Sequence, residues 1–138
     1  MESANVSAVR EMVQLFNRGE VEELLERFAA EDVEFDYTRS LSPDQAGIFR
    51  GIDEVRGFWE ALREPWQELE LVGDEYIEVR DDTVVVSSHT RQVGRGSGIE
   101  VVARGAMLVR FRDGKLVRWQ LFQSKAEALD AGARSVNS

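Results

Sequence analysis

Three polar residues that could take part in proton transfer alternate along one predicted strand. Ser87, His89 and Arg91 are separated by single residues, so their side chains would share one face of that strand. His89 is the single histidine of the chain, and a neutral imidazole can accept or donate a proton near neutral pH. Arg91 could stabilise negative charge that develops on a substrate oxygen. The set is a candidate for acid–base chemistry, although a lone histidine on a strand is usually structural.

A carboxylate at Asp36 is the second candidate. It comes near the end of an earlier predicted strand, where apolar and polar residues alternate from 33 to 38. Burial would raise the pKa of this carboxyl towards the range that suits a general base, whereas a neighbouring arginine would lower it. The simpler alternative is that Asp36 ends a strand and pairs with an arginine at the surface.

Two further patterns do not predict a site. The segment 94–98, Gly-Arg-Gly-Ser-Gly, superficially resembles a phosphate-binding loop, but it lies between two predicted strands and lacks a helix N-terminus that would supply donors. We interpret it as a hairpin turn. One histidine and no cysteine leave no recognisable spacing of metal ligands. We therefore predict neither a metal nor a cofactor.

The composition predicts one globular domain. The chain has 138 residues, 43% of them hydrophobic and 31% charged, and no cysteine, which is usual for a domain with one core. A net charge of −9 would repel nucleic acid and anionic membranes, so neither is an expected partner. The first residues lack the features of a signal peptide, and no stretch approaches the roughly 18 apolar residues of a membrane span. We expect a cytoplasmic protein.

The spacing of apolar residues predicts helices in the first half of the chain and strands in the second. Helical periodicity covers three segments: 6–16, 21–28 and 52–62. Later β-rich runs, separated by short turn signals, predict a four-stranded antiparallel meander packed on these helices: 69–79, 83–93, 99–111 and 116–122. A closing helical turn is predicted over 124–132 and a frayed tail over about 133–138.

This order of elements resembles the nuclear-transport-factor-2-like superfamily, in particular its SnoaL-like and ketosteroid-isomerase-like branches. The resemblance covers nearly the whole chain, and its most telling pieces are FNRGE (16–20), FAAEDV (28–33), FRG (49–51) and FRDGKLVRW (111–119). It implies an α+β fold in which a cone-like, curved antiparallel sheet packs on three N-terminal helices and encloses a pocket. Residues 1–138 would form a single SnoaL-like domain. These pieces mark turns and core positions, so they indicate a fold rather than a reaction.

The resemblance also implies a set of pocket residues. Asp36 occupies the place of the general base of ketosteroid isomerases, and Ser87, His89 and Arg91 would point into the same cavity. The rest of the wall would be mostly apolar: Met12, Phe16, Phe58, Trp59, Leu62, Met107, Trp119 and Gln123.

Three positions depart from the enzymes of this superfamily. Met12 and Met107 stand where ketosteroid isomerases have the tyrosine and the protonated aspartate of their oxyanion hole. Leu121 stands where relatives of limonene-epoxide hydrolase have a catalytic acid. These differences argue against both of those reactions.

Two hypotheses about function follow. In the first, the protein is a SnoaL-like isomerase, cyclase, dehydratase or hydrolase, in which Asp36 with His89 takes a proton next to a carbonyl of an apolar metabolite. In the second, it is a non-catalytic module that binds an apolar molecule or a segment of a partner protein. Apolar residues on both faces of the meander, such as Val84 against Val85, also predict a homodimer through the outer face of the sheet.

Overall fold

The computed structural model describes residues 2–40 and 46–134. Within these ranges the elements follow one another in this order: α1 (Ala4–Asn17), α2 (Val21–Phe28), β1 (Ala29–Asp36), β2 (Ile48–Arg50), α3 (Gly51–Arg63), β3 (Trp66–Arg80), β4 (Thr83–Gly94), β5 (Glu100–Arg112), β6 (Lys115–Phe122) and α4 (Lys125–Gly132). Most of the predicted frayed tail lies outside the described residues. In the part that is described, no helix is both long and apolar enough to cross a membrane.

Helix α1 begins two residues before the predicted periodicity because Ser3 caps it. The Ser3 hydroxyl accepts a hydrogen bond from the backbone N–H of Val6 at 3.1 Å, which satisfies a donor that the first turn leaves open. The last residue of the helix, Asn17, then ties the helix to the sheet. Its side-chain amide donates to the carbonyl of Leu71 and accepts from the N–H of Leu71, each at 2.8 Å.

The six described strands form one mixed sheet in the order β2-β1-β6-β5-β4-β3. The predicted meander is confirmed, since β3 to β6 pair antiparallel with their chain neighbours. The prediction of an antiparallel sheet is wrong for one pair, because β1 runs parallel to β6. These two strands are far apart in the chain, and a long connection permits parallel pairing where a hairpin does not. The three-residue strand β2 was not predicted, because it is too short to show a period.

Irregular pairing along β3 bends the sheet around the helices. The register between β3 and β4 shifts at three places in β3, after Trp66, after Gly73 and after Glu78. Each such irregularity increases local twist and curvature. At Gly73 a side chain would collide with the ring of Tyr76, so glycine lets that ring lie against the strand. The result is the open, cone-like sheet that the sequence predicts.

Apolar side chains pack on both faces of this sheet. The larger cluster lies on the inner face, which we define as the face covered by α1, α2 and α3, and it includes Phe35, Val84 and Trp119. On the opposite, outer face, α4 covers a smaller cluster around Val85 and Leu108. Part of the outer apolar surface that predicted a homodimer is therefore covered by the chain itself.

Candidate functional site

A cavity of about 300 Å³ lies between the helices and the inner face of the sheet. Its wall is mostly aromatic and aliphatic: Phe16, Leu24, Tyr37, Trp59, Leu62, Trp66, Leu69, Leu71, Val101, Ala103, Met107, Trp119 and Leu121. The polar lining residues are Ser40, Ser88, Thr90, Gln92 and Gln123. Arg104, Gly105 and Phe122 also border the cavity, but strand alternation directs the side chains of Arg104 and Phe122 to the outer face. Small-molecule pockets typically begin at about this volume.

A cluster of aromatic rings forms one end of the cavity wall. The buried ring of Phe35 stacks on Trp119, with 5.7 Å between centroids and 7° between planes. The ring of Trp59 meets the same phenylalanine edge-on at 4.8 Å and 89°. Tyr37 lies parallel to Phe35 at 6.5 Å. Because Phe35 is paired with Trp119 in the β1–β6 register, the backbone and the ring contacts position the cavity-lining rings together.

Two tryptophans of the wall, Trp66 and Trp119, carry buried indole N–H groups; that of Trp119 is directed at the Tyr37 hydroxyl, whereas no acceptor in the described residues reaches that of Trp66. Trp119 is 5% exposed. Burial raises the pKa of the adjacent Tyr37, and a hydrogen bond from the Trp119 N–H offsets only part of this effect. Buried donors in folded proteins are almost always paired. The Trp66 N–H therefore leaves hydrogen-bonding capacity for an occupant of the cavity.

The other polar groups of the wall are neutral. Ser88, Thr90 and Gln92 alternate along β4 on the inner face, and the Thr90 hydroxyl donates to the Gln92 side-chain carbonyl at 3.4 Å. The Gln123 amide donates to the carbonyl of Arg39 at 2.6 Å. In residues 2–40 and 46–134, the lining contains no carboxylate and no imidazole. The described wall thus offers uncharged donors and acceptors in an aromatic surrounding.

Six of the predicted pocket residues line the cavity: Phe16, Trp59, Leu62, Met107, Trp119 and Gln123. Two others, Met12 and Phe58, are buried in the inner core at 0% and 5% exposure but do not reach the cavity wall. Leu121, which stands where some relatives have an acid, is also part of the wall. The structure brings the apolar part of the predicted set together, with two residues displaced into the core.

The polar residues predicted to line the cavity from β4 lie on the opposite face of the sheet. Ser87, His89 and Arg91 lie on the outer face, because their neighbours at even-numbered positions face the cavity. His89 Nδ1 is 2.8 Å from Asp74 Oδ2. Arg91 contacts two exposed glutamates of the neighbouring strands at 3.2 and 3.4 Å. A shift of one residue in strand parity exchanges the two faces, and this shift removes His89 and Arg91 from the cavity.

Asp36 also lies on the outer face rather than in the cavity. It is 6% exposed and accepts hydrogen bonds from Arg118 Nη2 at 2.8 Å and from the Gln120 amide at 3.1 Å. The N–H and the hydroxyl of Thr38 also donate to it, at 3.0 and 2.7 Å. Arg118 in turn pairs with Glu34. The simpler interpretation of Asp36, an ion pair with an arginine at the end of a strand, describes this network, except that Asp36 is nearly buried rather than at the surface. The predicted contact between Asp36 and His89 is absent.

Several lining residues were not among the predicted site residues. For Tyr37 the signal was present, because the alternation from 33 to 38 places it with Val33 and Phe35 on the core-facing side. For Ser88, Thr90 and Gln92 no local signal existed, since polar residues occupy both faces of β4 from position 87 to 92. Trp66 lies at the start of β3, before the predicted strand. Within the described ranges no group of three or more acidic or histidine side chains could hold a metal ion.

Comparison with protein families identifies the domain. A family model described as a SnoaL-like domain matches residues 9–119. The chain belongs to the SnoaL-like family. This assignment agrees with the element order and with the curved, open sheet, and the match spans α1 to β6 of the structure. A comparison with curated proteins found no match.

Solved structures share this SnoaL-like architecture over nearly the whole chain. An NTF2-like protein of unknown function from Burkholderia pseudomallei is 27% identical, with a TM-score of 0.78 over 94% of this chain and 97% of that one. TerC, co-crystallized with polyporic acid, is 20% identical, with a TM-score of 0.75 over 93% and 99%. A Mycobacterium tuberculosis protein in complex with estradiol-17β-hemisuccinate is 17% identical, with a TM-score of 0.73 over 87% and 93%. At these identities the likeness concerns the fold.

Proposed function

We propose that this protein binds a small, largely apolar molecule in the cavity on the inner face of the sheet. The observation that carries the proposal is the wall itself, in which all three tryptophans of the chain line one cavity and the buried N–H of Trp66 has no acceptor in the described residues. Pockets for small molecules combine an apolar wall with a few polar groups that orient the ligand. The wall of this cavity has that composition.

The two ligand complexes among the related structures support the same proposal. TerC was co-crystallized with polyporic acid, and the Mycobacterium tuberculosis protein is in complex with estradiol-17β-hemisuccinate. By analogy of fold, we expect the cavity of this protein to bind a small organic molecule as well.

The proposal concerns binding, the second of the two hypotheses from the sequence. The acid–base enzyme required Asp36 and His89 beside the substrate, and both side chains lie on the outer face. There Asp36 is engaged by Arg118, Gln120 and Thr38, and His89 contacts Asp74. A molecule in the cavity would be separated from both groups by the sheet.

The experiment uses the tryptophans as reporters of binding. The purified protein is titrated with 9-fluorenone while tryptophan emission is recorded, and native mass spectrometry identifies any compound that copurifies. Ala103→Phe would place a bulky ring at the cavity wall. Val102→Phe adds the same ring at the preceding position, on the outer face, where Val102 is 51% exposed. We expect saturable binding to the wild type and to Val102→Phe, with at least a tenfold loss in Ala103→Phe. Equal affinity of the two variants would contradict the proposal.

We also propose a homodimer that forms through the part of the outer face that α4 leaves uncovered. Val102 is 51% exposed there, and exposed apolar surface of this kind commonly mediates association. Light scattering at micromolar concentration is expected to give twice the chain mass, and Val102→Asp is expected to reduce it. A monomer in the wild type would contradict this proposal. A cytoplasmic location stays a prediction from the sequence.

A further inference from the structure

A groove on the outer face of the sheet gathers arginines that the proposed function does not use. It has a volume of about 500 Å³ and lies beside the end of α4. Among the described residues that line it, two carboxylates stand against five arginines: Arg39, Arg110, Arg112, Arg118 and Arg134. The lining therefore has an excess of three positive charges, whereas the whole chain carries a net charge of −9. The groove is a locally positive site on an acidic protein.

Two of these arginines lie directly opposite each other on neighbouring strands. Arg110 of β5 pairs with Arg118 of β6 in the register of the sheet, and like charges at directly opposite positions destabilise a strand pair. The same row of residues continues from Arg118 to Glu34 on β1. On its other side, Arg110 is opposite Thr83 of β4. Arg110 thus lies between a threonine and a second arginine, with no acidic residue beside it in the row.

The charge of Arg118 is compensated within the chain, but that of Arg110 is not. Arg118 forms ion pairs with both Glu34 and Asp36. Arg110 donates from Nε to the hydroxyl of Thr83 at 3.2 Å. In residues 2–40 and 46–134, no acceptor reaches its two terminal nitrogens and no carboxylate forms an ion pair with it. These nitrogens are therefore donors that an anion in the groove could use.

The surroundings of Arg110 make an anion favourable at this position. The guanidinium is half-buried, and burial lowers the pKa of Arg110; Arg118 and Arg80 lower it further, and Asp82 offsets only part of these effects. An arginine still keeps its proton at physiological pH, so the positive charge stays where it is poorly compensated. The forked N–H groups of a guanidinium match the oxygens of a carboxylate or a phosphate.

The amount of charge in the groove distinguishes between these two kinds of anion. A carboxylate would leave two of the three excess positive charges uncompensated, whereas a phosphate group with two negative charges would leave one. The volume of the groove exceeds the roughly 300 Å³ at which pockets for small molecules begin. It therefore has room for an organic group attached to the phosphate.

We propose that Arg110 binds a dianionic phosphate group in this outer-face groove, where Arg118, Arg39 and Arg134 add positive charge. The Arg39 guanidinium lies over the ring of Phe122, 4.6 Å from its centroid, which keeps it at the groove. The sheet separates this site from the cavity, so the inference does not depend on the proposed function. It is also distant from the proposed dimer surface at position 102, eight residues earlier in β5 and roughly 26 Å away along the strand.

The test compares two arginine variants that change the net charge equally. Methyl phosphate is titrated at low ionic strength and pH 8, where a phosphate monoester carries two charges, and binding is measured by calorimetry. Arg110→Gln removes the uncompensated guanidinium. The control Arg112→Gln removes, two positions further along the same strand, an arginine that is already paired with Asp32 at 2.8 and 3.0 Å.

We expect methyl phosphate to bind at least about tenfold more weakly to Arg110→Gln than to the wild type, which is the scale of a lost charge-assisted hydrogen bond. Arg112→Gln should lose less than about threefold, because only the general charge of the protein changes. Equal losses in the two variants would overturn the assignment to Arg110.

A second set of measurements needs only the wild type. Dimethyl phosphate carries one charge and should bind at least about fivefold more weakly than methyl phosphate. In an NMR titration with methyl phosphate, the backbone amide signals of Arg110 and Arg118 should shift, whereas that of Ser88 in the cavity should not. Equal affinities for the two esters, or shifts confined to residues outside the groove, would overturn the proposal. Neither outcome would affect the binding of fluorenone in the cavity.

Inorganic phosphate, titrated in parallel, distinguishes the source of the group. Tighter binding of inorganic phosphate than of methyl phosphate would identify the free ion as the ligand. The reverse order would identify a phosphate ester. Both results support the site, whereas binding of neither compound to the wild type would overturn it.

Discussion

The outer and inner faces of the sheet differ in how their polar groups are satisfied. On the outer face, Asp36 accepts hydrogen bonds from Arg118, Gln120 and Thr38. On the inner face, the N–H of Trp66 has no partner among the residues that the structure describes. Groups that are satisfied within the chain contribute to stability, whereas unpaired donors that line a cavity are available to a ligand. The comparison predicts that variants of the satisfied outer-face groups act on stability and that cavity-wall variants act on binding in the cavity.

The largest effect on stability is expected at Phe35, whose ring supports the inner wall. It is fully buried and contacts the rings of Tyr37, Trp59 and Trp119. Phe35→Ala should lower the free energy of unfolding by about 3–5 kcal/mol, since it removes a core side chain and leaves a void. Urea denaturation measures the change, with Phe35→Leu as a control that retains more volume and costs less. A loss below about 1 kcal/mol would mean that the ring cluster does not support the core.

The next residue of β1, Asp36, is expected to affect stability and not binding. Asp36→Asn removes a nearly buried charge and places an amide N–H₂ among donors, so we expect a loss of about 2 kcal/mol in the free energy of unfolding. Fluorenone affinity should not change. Asp32→Asn is the matched control, since Asp32 pairs with Arg112 at an exposed site of the same strand and should matter little. Unchanged stability together with weakened binding in Asp36→Asn would restore the original placement of Asp36 in the cavity.

A third prediction concerns alkaline pH and tests the burial of Tyr37. The pKa of Tyr37 is raised above 10.0, its ordinary value, chiefly by burial. A group whose pKa is raised on folding contributes stability below its unfolded pKa, and this contribution is lost as the pH rises towards the folded value. Stability should therefore fall above about pH 10, by up to about 1.4 kcal/mol per pH unit, and Tyr37→Phe should reduce the slope. Some slope should remain, because burial also raises the pKa of Tyr76, the other tyrosine.

Tyrosinate absorbance checks the same point directly. In the folded protein at pH 11, the absorbance near 295 nm should stay low and should rise on addition of urea. If Tyr37 ionised in the folded state near pH 10, the cavity would be open to solvent at that residue.

The two faces of the sheet also differ in how well the sequence predicted their side chains. The alternation from 33 to 38 predicted the inward orientation of Phe35 and Tyr37, because each apolar residue there has a charged or polar neighbour. Helical spacing likewise predicted that Phe16 and Trp59 lie on buried helix faces. Where apolar and polar residues were clearly segregated by position, the sequence therefore predicted most of the fold and of the apolar wall.

The strand β4 lacked such a difference, and the site prediction failed there. Val84, Val85 and Val86 are all buried, because α4 covers the outer face opposite the inner core. Beyond them, residues 87–92 are polar on both faces. Neither pattern favours one parity, so the orientation of His89 followed from the resemblance alone. Which face carries the cavity depends on long-range pairing, such as that of Ser88 with Gly105, which the local sequence does not reveal.

The smallest effect on stability is expected at His89 and tests this parity directly. His89 contacts Asp74 at a partly exposed outer site, with 27% and 42% of the two side chains exposed, and such pairs contribute at most about 1 kcal/mol. His89→Gln should therefore change the free energy of unfolding by less than about 1 kcal/mol and leave fluorenone affinity unchanged. Its neighbour Ser88 is 5% exposed and faces the cavity. Ser88→Asn enlarges the side chain on the inner face and should weaken fluorenone binding, whereas the reverse pattern, weaker binding in His89→Gln alone, would show that the odd-numbered residues of β4 face the cavity.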